Sequence, residues 1–212
     1  MRVVKEAAER KNEILDIAER LFGTKGFDNT STNDILNEIG IARGTLYYHF
    51  KSKEEILDAM IDRMTKQLVE KSKEIVNQKN MSVLQRLTMM MHALNISSGN
   101  LGYEILEQVH KPQNALMHQK MQERVLSGIN PLITCLIEEC IMQGICQTDY
   151  PAEVAEMTLL YYNTVFDDLM KHSEETKQRK IVAFTYNLER LLKMEQGSMR
   201  DAIITLFQGK EQ

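Results

Sequence analysis

The chain of 212 residues has no tryptophan, three prolines, ten glycines and three cysteines. So few prolines and glycines leave long stretches without a helix breaker. Nowhere do apolar and polar residues alternate with the two-residue period of a half-buried strand, so an all-α chain is expected. The opening segment MRVVKEAAERKNE is charged throughout and no long apolar run follows. No signal peptide or membrane span is therefore expected, and a cytoplasmic location follows. A glycine-rich phosphate loop, an HExxH pair and a Ser/His/Asp grouping are all missing, so no catalytic residue, cofactor or metal is expected. A small helical enzyme is the weakest of the alternatives. Cys135, Cys140 and Cys146 are spaced by five and six, which is not a zinc pattern, and free thiols in a reducing compartment are expected. A thiol-responsive protein is an alternative, although no basic neighbour in sequence would lower a thiol pKa.

Positive charge is also scarce. The net charge is −4, and the first sixty residues hold nine Lys/Arg against eleven Asp/Glu. Bulk charge argues against generic affinity for nucleic acid, so any basic face must be local. One stretch fits. Residues 39–53 carry no acid, yet they include Arg43, Lys51, Lys53 and His49.

That stretch lies in the most structured part of the sequence. Thr30, Ser31, Thr32, Asn33 and Asp34 cluster as cap formers, and Ser31 to Asp34 has the spacing of a capping box. Ile35, Leu36 and Ile39 then fall at helical intervals, and Gly40 supplies a stop that tolerates positive φ. A second short helix starts near Arg43 or Gly44 and runs through Phe50, with Leu46 and Phe50 facing inward at i and i+4. Arg43, Thr45, Tyr47, Tyr48 and His49 lie off that stripe. Helix, glycine turn and helix form a helix-turn-helix, whose second helix enters the major groove of DNA. The plainer reading is a surface hairpin with two exposed tyrosines.

These residues resemble the signature of TetR-family transcriptional regulators. The resemblance rests on Thr30–Ser31–Thr32, Ile35–Leu36, Gly40–Ile41, the run Gly44–Thr45–Leu46–Tyr47–Tyr48–His49–Phe50, and Lys51–Ser52–Lys53–Glu54. Upstream, Ile14–Leu15, Ala18, Leu21–Phe22 and Gly26–Phe27 extend it, so it covers about residues 8–60. Leu36 departs from it, since the family usually has alanine there. The resemblance implies a three-helix DNA-binding domain over 1–52 and a larger helical effector-binding and dimerisation domain over 53–212, about nine to ten helices in all. It also implies a homodimer on double-stranded operator DNA, and a repressor released when a small-molecule effector binds the C-terminal domain. A ligand-independent regulator is the alternative. The expected DNA contacts are Arg43 and Tyr47 at base edges, with Thr32, Thr45, Tyr48, His49 and Lys53 at phosphates. Gly44 allows close approach.

The remaining chain reads as helices over 5–24, 52–78, 82–97, 101–110, 114–128, 132–143, 151–172, 174–195 and 199–207. Asn130–Pro131 separates the fifth and sixth of these. Fourteen methionines suit either an adaptable apolar pocket or gap-filling in a core. Candidate effector residues are Met91, His92, Asn95, Tyr103, Glu107, Met121 and Tyr161. The apolar stripes on 151–172 and 174–195 either finish the core or, as the resemblance implies, pair with their twins across a dimer.

Overall fold

A computed structural model describes residues 7–94, 114–166 and 172–200. Among these, all regular structure is helical. In chain order the helices are α1 (Ala7–Lys25), α2 (Thr32–Ile39), α3 (Arg43–His49), α4 (Lys53–Asn77), α5 (Val83–Leu94), α6 (Ala115–Met142), α7 (Pro151–Phe166) and α8 (Glu174–Leu191). The expected helix over 101–110 and most of that over 199–207 lie outside the described residues. The described residues group into two compact units, 7–66 with 114–124 and 67–94 with 125–200.

The first unit is built on a heptad-like stripe. Ile14, Leu15, Ala18, Leu21 and Phe22 of α1 are buried together with Ile35 and Leu36 of α2, Leu46 of α3, and Phe50. Ile56, Leu57, Met60, Ile61 and Met64 of α4 close this interior, and so do Met117 and Met121 of α6. α1 does not stop at Gly23, which is buried inside the helix. It ends where Gly26 takes φ 90 and donates its N–H to the Phe22 carbonyl at 3.0 Å. Leu36 is only 8% exposed, so the larger side chain is accommodated in the interior. Ser52 caps α4 by accepting the Glu55 N–H at 3.1 Å.

In the second unit, Met90, Ile129, Leu136, Ala155 and Leu159 are at the centre of one apolar cluster. Arg86 is 1% exposed within it. Its guanidinium binds the Glu139 carboxylate through two nitrogens and donates to the Val76 carbonyl at 2.9 Å. Lys79 reaches the same carboxylate at 2.7 Å. This triad ties the end of α4 to α5 and α6. The Arg86 hydrogen bond, then that of Lys79, hold Glu139 down at about 2. Tyr162 donates to the Met91 carbonyl at 3.1 Å. Buried Glu189 accepts the N–H groups of Gly197 and Met199, both at 2.8 Å. α8 ends at Leu191, short of the expected 195, because Lys193 adopts φ 48 and the Met194 N–H turns back to the Glu189 carbonyl at 2.8 Å.

One expectation is corrected outright. The helices expected over 114–128 and 132–143 are a single helix, α6, which passes through Pro131. Proline removes one helical donor and crowds the preceding turn. Pro131 is exposed, however, while Val125, Ile129, Ile133, Leu136 and Ile137 are buried on one continuous face. Packing on both sides of the proline outweighs the local break. By length and composition α6 could cross a membrane, but one face of it, with Met117, Met121, Val125, Ile129, Ile133, Leu136 and Ile137, is buried in the interiors of the two units.

Candidate DNA-binding surface

α2 is fixed by its own first turn. Ser31 is extended at φ −98 and ψ 161, and its hydroxyl accepts the Asp34 N–H at 3.2 Å. The Asp34 carboxylate accepts the Ser31 N–H at 2.8 Å in return. The Ser31 hydroxyl and then its N–H hold the Asp34 carboxyl down at about 2. Gly40 ends the helix at φ 72 and ψ 34, a left-handed conformation, with its N–H on the Leu36 carbonyl at 2.9 Å. Side chains strongly disfavour that region and glycine does not.

The turn delivers α3 with one face inward. Leu46 is 1% and Phe50 2% exposed. The opposite face carries Arg43, Gly44, Tyr47 and Tyr48, all exposed, with Tyr48 at 78%. The Arg43 guanidinium carbon lies 5.7 Å from the centre of the Tyr47 ring, and Tyr48 meets His49 edge-on at 5.0 Å. Thr45 and His49 are half-buried, as is Thr32 at the start of α2. A Cβ added at Gly44 would meet nothing within 4 Å. The glycine is therefore not required by packing inside the chain. Lys53 also has partners within the chain: its ammonium donates to the Phe27 carbonyl at 2.8 Å and sits 4.2 Å over the Phe27 ring.

The charges of this unit are sorted. Arg63 pairs with Asp16 at 2.6 Å and Glu19 at 2.7 Å, Arg20 with Glu38 at 2.5 Å, and Lys25 with Asp34 at 3.4 Å. Lys120 pairs with Asp58 at 2.6 Å and Arg124 with Asp62 at 2.8 Å. Among the described residues, neither Arg43 nor Lys51 has a carboxylate in ion-pair contact. The acids that form ion pairs here do so with other cations, and Glu55 accepts the Lys51 backbone N–H at 2.6 Å, so the Arg43 guanidinium is the charge that a phosphate approaching α3 meets.

The candidate effector residues fall in separate places. Met91 is 6% exposed in the interior of the second unit, and Met121 is 5% exposed in that of the first. His92 is exposed. Tyr161 is 40% exposed, with its ring stacked on Phe184 at 5.6 Å. Asn95, Tyr103 and Glu107 lie outside the described residues. The three cysteines are free. Burial pushes the Cys140 thiol up to about 12 and raises that of Cys146, so neither is a thiolate near neutrality. A contribution that sequence reasoning missed is Asn114, which is fully buried and bound to the Phe27 N–H at 2.9 Å. Nothing in the residues around it signals a contact 87 positions away.

Comparison with known proteins agrees with this geometry. Residues 14–60 match the family described as bacterial regulatory proteins, tetR family, and residues 96–187 match the tetracyclin repressor-like C-terminal domain. The chain is 24% identical over 142 residues to the fatty acid metabolism regulator protein of Bacillus subtilis, covering 66% of this chain and 73% of that one. It is 42% identical over 67 residues to the HTH-type transcriptional repressor KstR2 of Rhodococcus jostii, a match that spans only about a third of either chain (32% and 33%). Among solved structures, the fatty acid degradation regulator FadR from Bacillus halodurans superposes with a TM-score of 0.64 at 18% identity, covering 99% of both chains. A TetR-family transcriptional regulator from Pectobacterium atrosepticum gives 0.64 at 19% identity, covering 90% of this chain and 98% of that one. A helix-turn-helix with one face of its second helix exposed and two matched family domains leave one conclusion: the chain belongs to the TetR family of DNA-binding transcriptional regulators.

Proposed function

We propose that the protein is a homodimeric repressor that leaves its operator when a small-molecule effector binds the C-terminal domain. The observation that carries the DNA-binding part is the face of α3: Arg43, Gly44 and Tyr47 stand exposed above a buried Leu46 and Phe50. Arg43 reads guanine through a bidentate contact, and Tyr47 adds a thymine-methyl or backbone contact while holding the guanidinium in place. Thr32, Thr45, Tyr48 and His49 contact phosphates. Lys53 joins them: one of its three ammonium donors holds the Phe27 carbonyl, which leaves two for a phosphate. Residues 1–52 supply the reading helices, within a unit that also takes in residues 53–66 and 114–124, and the rest of 53–212 serves as the effector and dimer domain.

Dimerisation is supported by an exposed apolar stripe. Met157, Leu160 and Tyr161 share one face of α7 at 55%, 46% and 40% exposure, and Val182 and Tyr186 share one face of α8 at 57% and 44%. A two-fold dimer places two recognition helices about 34–36 Å apart, one turn of duplex. The effector acts by binding one of two states more tightly, a coupling of typically about 1–3 kcal/mol. An effector with an acyl chain is favoured by the fatty-acid names of the Bacillus subtilis and Bacillus halodurans proteins. The side chains around Met90 and Met91 are apolar, the lining that such a chain needs. Thiol sensing is disfavoured at Cys140 and Cys146 by their raised pKa values.

The test is selection from a randomised duplex pool, followed by binding at fixed salt. Arg43→Ala and Tyr47→Ala are each expected to cost about 1–3 kcal/mol against the selected duplex, and Arg43→Ala to relax one base preference. Full affinity in both variants refutes the assignment of α3 as the reading helix.

A further inference from the structure

The connection between α1 and α2 is held at both ends of one residue. Phe27 is 4% exposed, with its ring edge-on to Phe22 at 5.2 Å. Its carbonyl accepts the Lys53 ammonium at 2.8 Å and the Thr30 N–H at 3.2 Å. Its N–H donates to the side-chain carbonyl of Asn114 at 2.9 Å. Thr30, 1% exposed, donates its hydroxyl to the Gly26 carbonyl at 2.8 Å. Ser31, the cap of α2, follows directly. The entry angle of α2, and through the Gly40 turn that of α3, is thus set where Asn114 and Lys53 clasp Phe27.

Asn114 is also not an isolated visitor. It immediately precedes α6, whose first turns are built into the same unit. Met117 and Met121 are 3% and 5% exposed among Ile14, Leu46 and Phe50. Lys120 and Arg124, four apart on α6, pair with Asp58 and Asp62, four apart on α4. The match in spacing fixes the register of the two helices. Residues 14–60, which match the reading domain of the family, therefore do not complete its interior alone.

We propose that Asn114 is a positioning residue for operator recognition, acting through Phe27 on the orientation of α2 and α3. A buried peptide N–H deprived of its acceptor is costly, and here the cost is relieved only by moving the connection from which the reading helices hang. The inference rests on the reading of α3 as the DNA-contacting helix.

The experiment uses the full chain and the duplex that the wild-type protein selects from a randomised pool, with a scrambled duplex as the non-specific probe. Asn114→Leu keeps the branched side-chain skeleton, though with more bulk, and removes the acceptor. Asn114→Asp keeps an acceptor oxygen beside Phe27. The Leu variant is expected to unfold cooperatively in urea with wild-type assembly mass, yet to bind the selected duplex roughly tenfold more weakly. Its binding to the scrambled duplex stays unchanged, and amide exchange in the segment containing Phe27 speeds up. The Asp variant recovers most of the affinity. If Asn114→Leu is insoluble, Asn114→Ser, too short to reach Phe27, takes its place. Wild-type affinity in the acceptor-less variant overturns the inference, as does an equal loss on both duplexes or a loss shared by Asn114→Asp. A wild-type protein that selects no duplex defeats the reading of α3 itself, and this inference with it.

Discussion

Gly44→Ala separates what α3 needs to fold from what it needs to bind. The added methyl meets nothing within 4 Å in the free protein, and Gly44 sits in the first turn of a regular helix. Folding should therefore gain from the substitution, since glycine in a helix costs roughly 0.5–1 kcal/mol relative to alanine. The lower end applies near a helix start, so the melting midpoint should rise by roughly 1–2 °C. Binding should move the other way. If α3 enters the groove with its first turn against the duplex, the methyl overfills a close-packed contact at about 1–3 kcal/mol. That is a loss of roughly five- to 150-fold in Kd. Fluorescence anisotropy at one fixed ionic strength measures it, because phosphate contacts make affinity steeply salt-dependent. Gly40→Ala is the control. Its methyl also has open space, but φ +72 makes it strained, at about 1–2 kcal/mol of stability. Gly44→Ala binding within twofold of wild type would show that no duplex approaches that turn. A lowered melting midpoint would show that the helix itself is misread.

Two further outcomes follow from charge and from the apolar stripe. Replacing Arg86 by leucine takes away the buried partner of Glu139 and leaves it only the exposed Lys79, at an expected cost of about 3 kcal/mol in urea unfolding. Glu139 is held at about 2, below its ordinary 4.5. Its contribution is therefore present above about pH 4.5 and lost as pH falls from there towards 2. Glu139→Gln should be less stable than wild type at pH 7 and converge with it on acidification, and parallel curves would refute the assignment. On the dimer face, Val182→Asp places a charge in an apolar stripe that the single chain leaves exposed. It should leave the protomer folded, give monomer mass by light scattering and abolish tight operator binding. An unchanged mass would place the interface elsewhere.

The recognition element was legible because its physics is local. Ser31 and Asp34 cap each other three residues apart, Gly40 takes the one backbone conformation that favours it, and Leu46 and Phe50 mark the inward face of a single helix turn. Helical period and the scarcity of breakers likewise fixed the all-α class. What depends on neighbours distant in sequence was not legible. Pro131 reads as a break, and only the burial of Ile129 and Ile133 on either side of it keeps α6 continuous. Met121 reads as a pocket methionine, yet it fills the interior of the DNA-reading unit. Lys53 reads as a phosphate contact, and only the folded chain shows the Phe27 carbonyl under its ammonium. Asn114 carries no local signal at all, since a hydrogen bond across 87 positions exists only once the chain has folded back. The sequence by itself determined the helix-turn-helix and which face of its second short helix is exposed. Tertiary structure decided what holds that helix in place, because a buried acceptor is chosen by proximity in space and not by spacing along the chain.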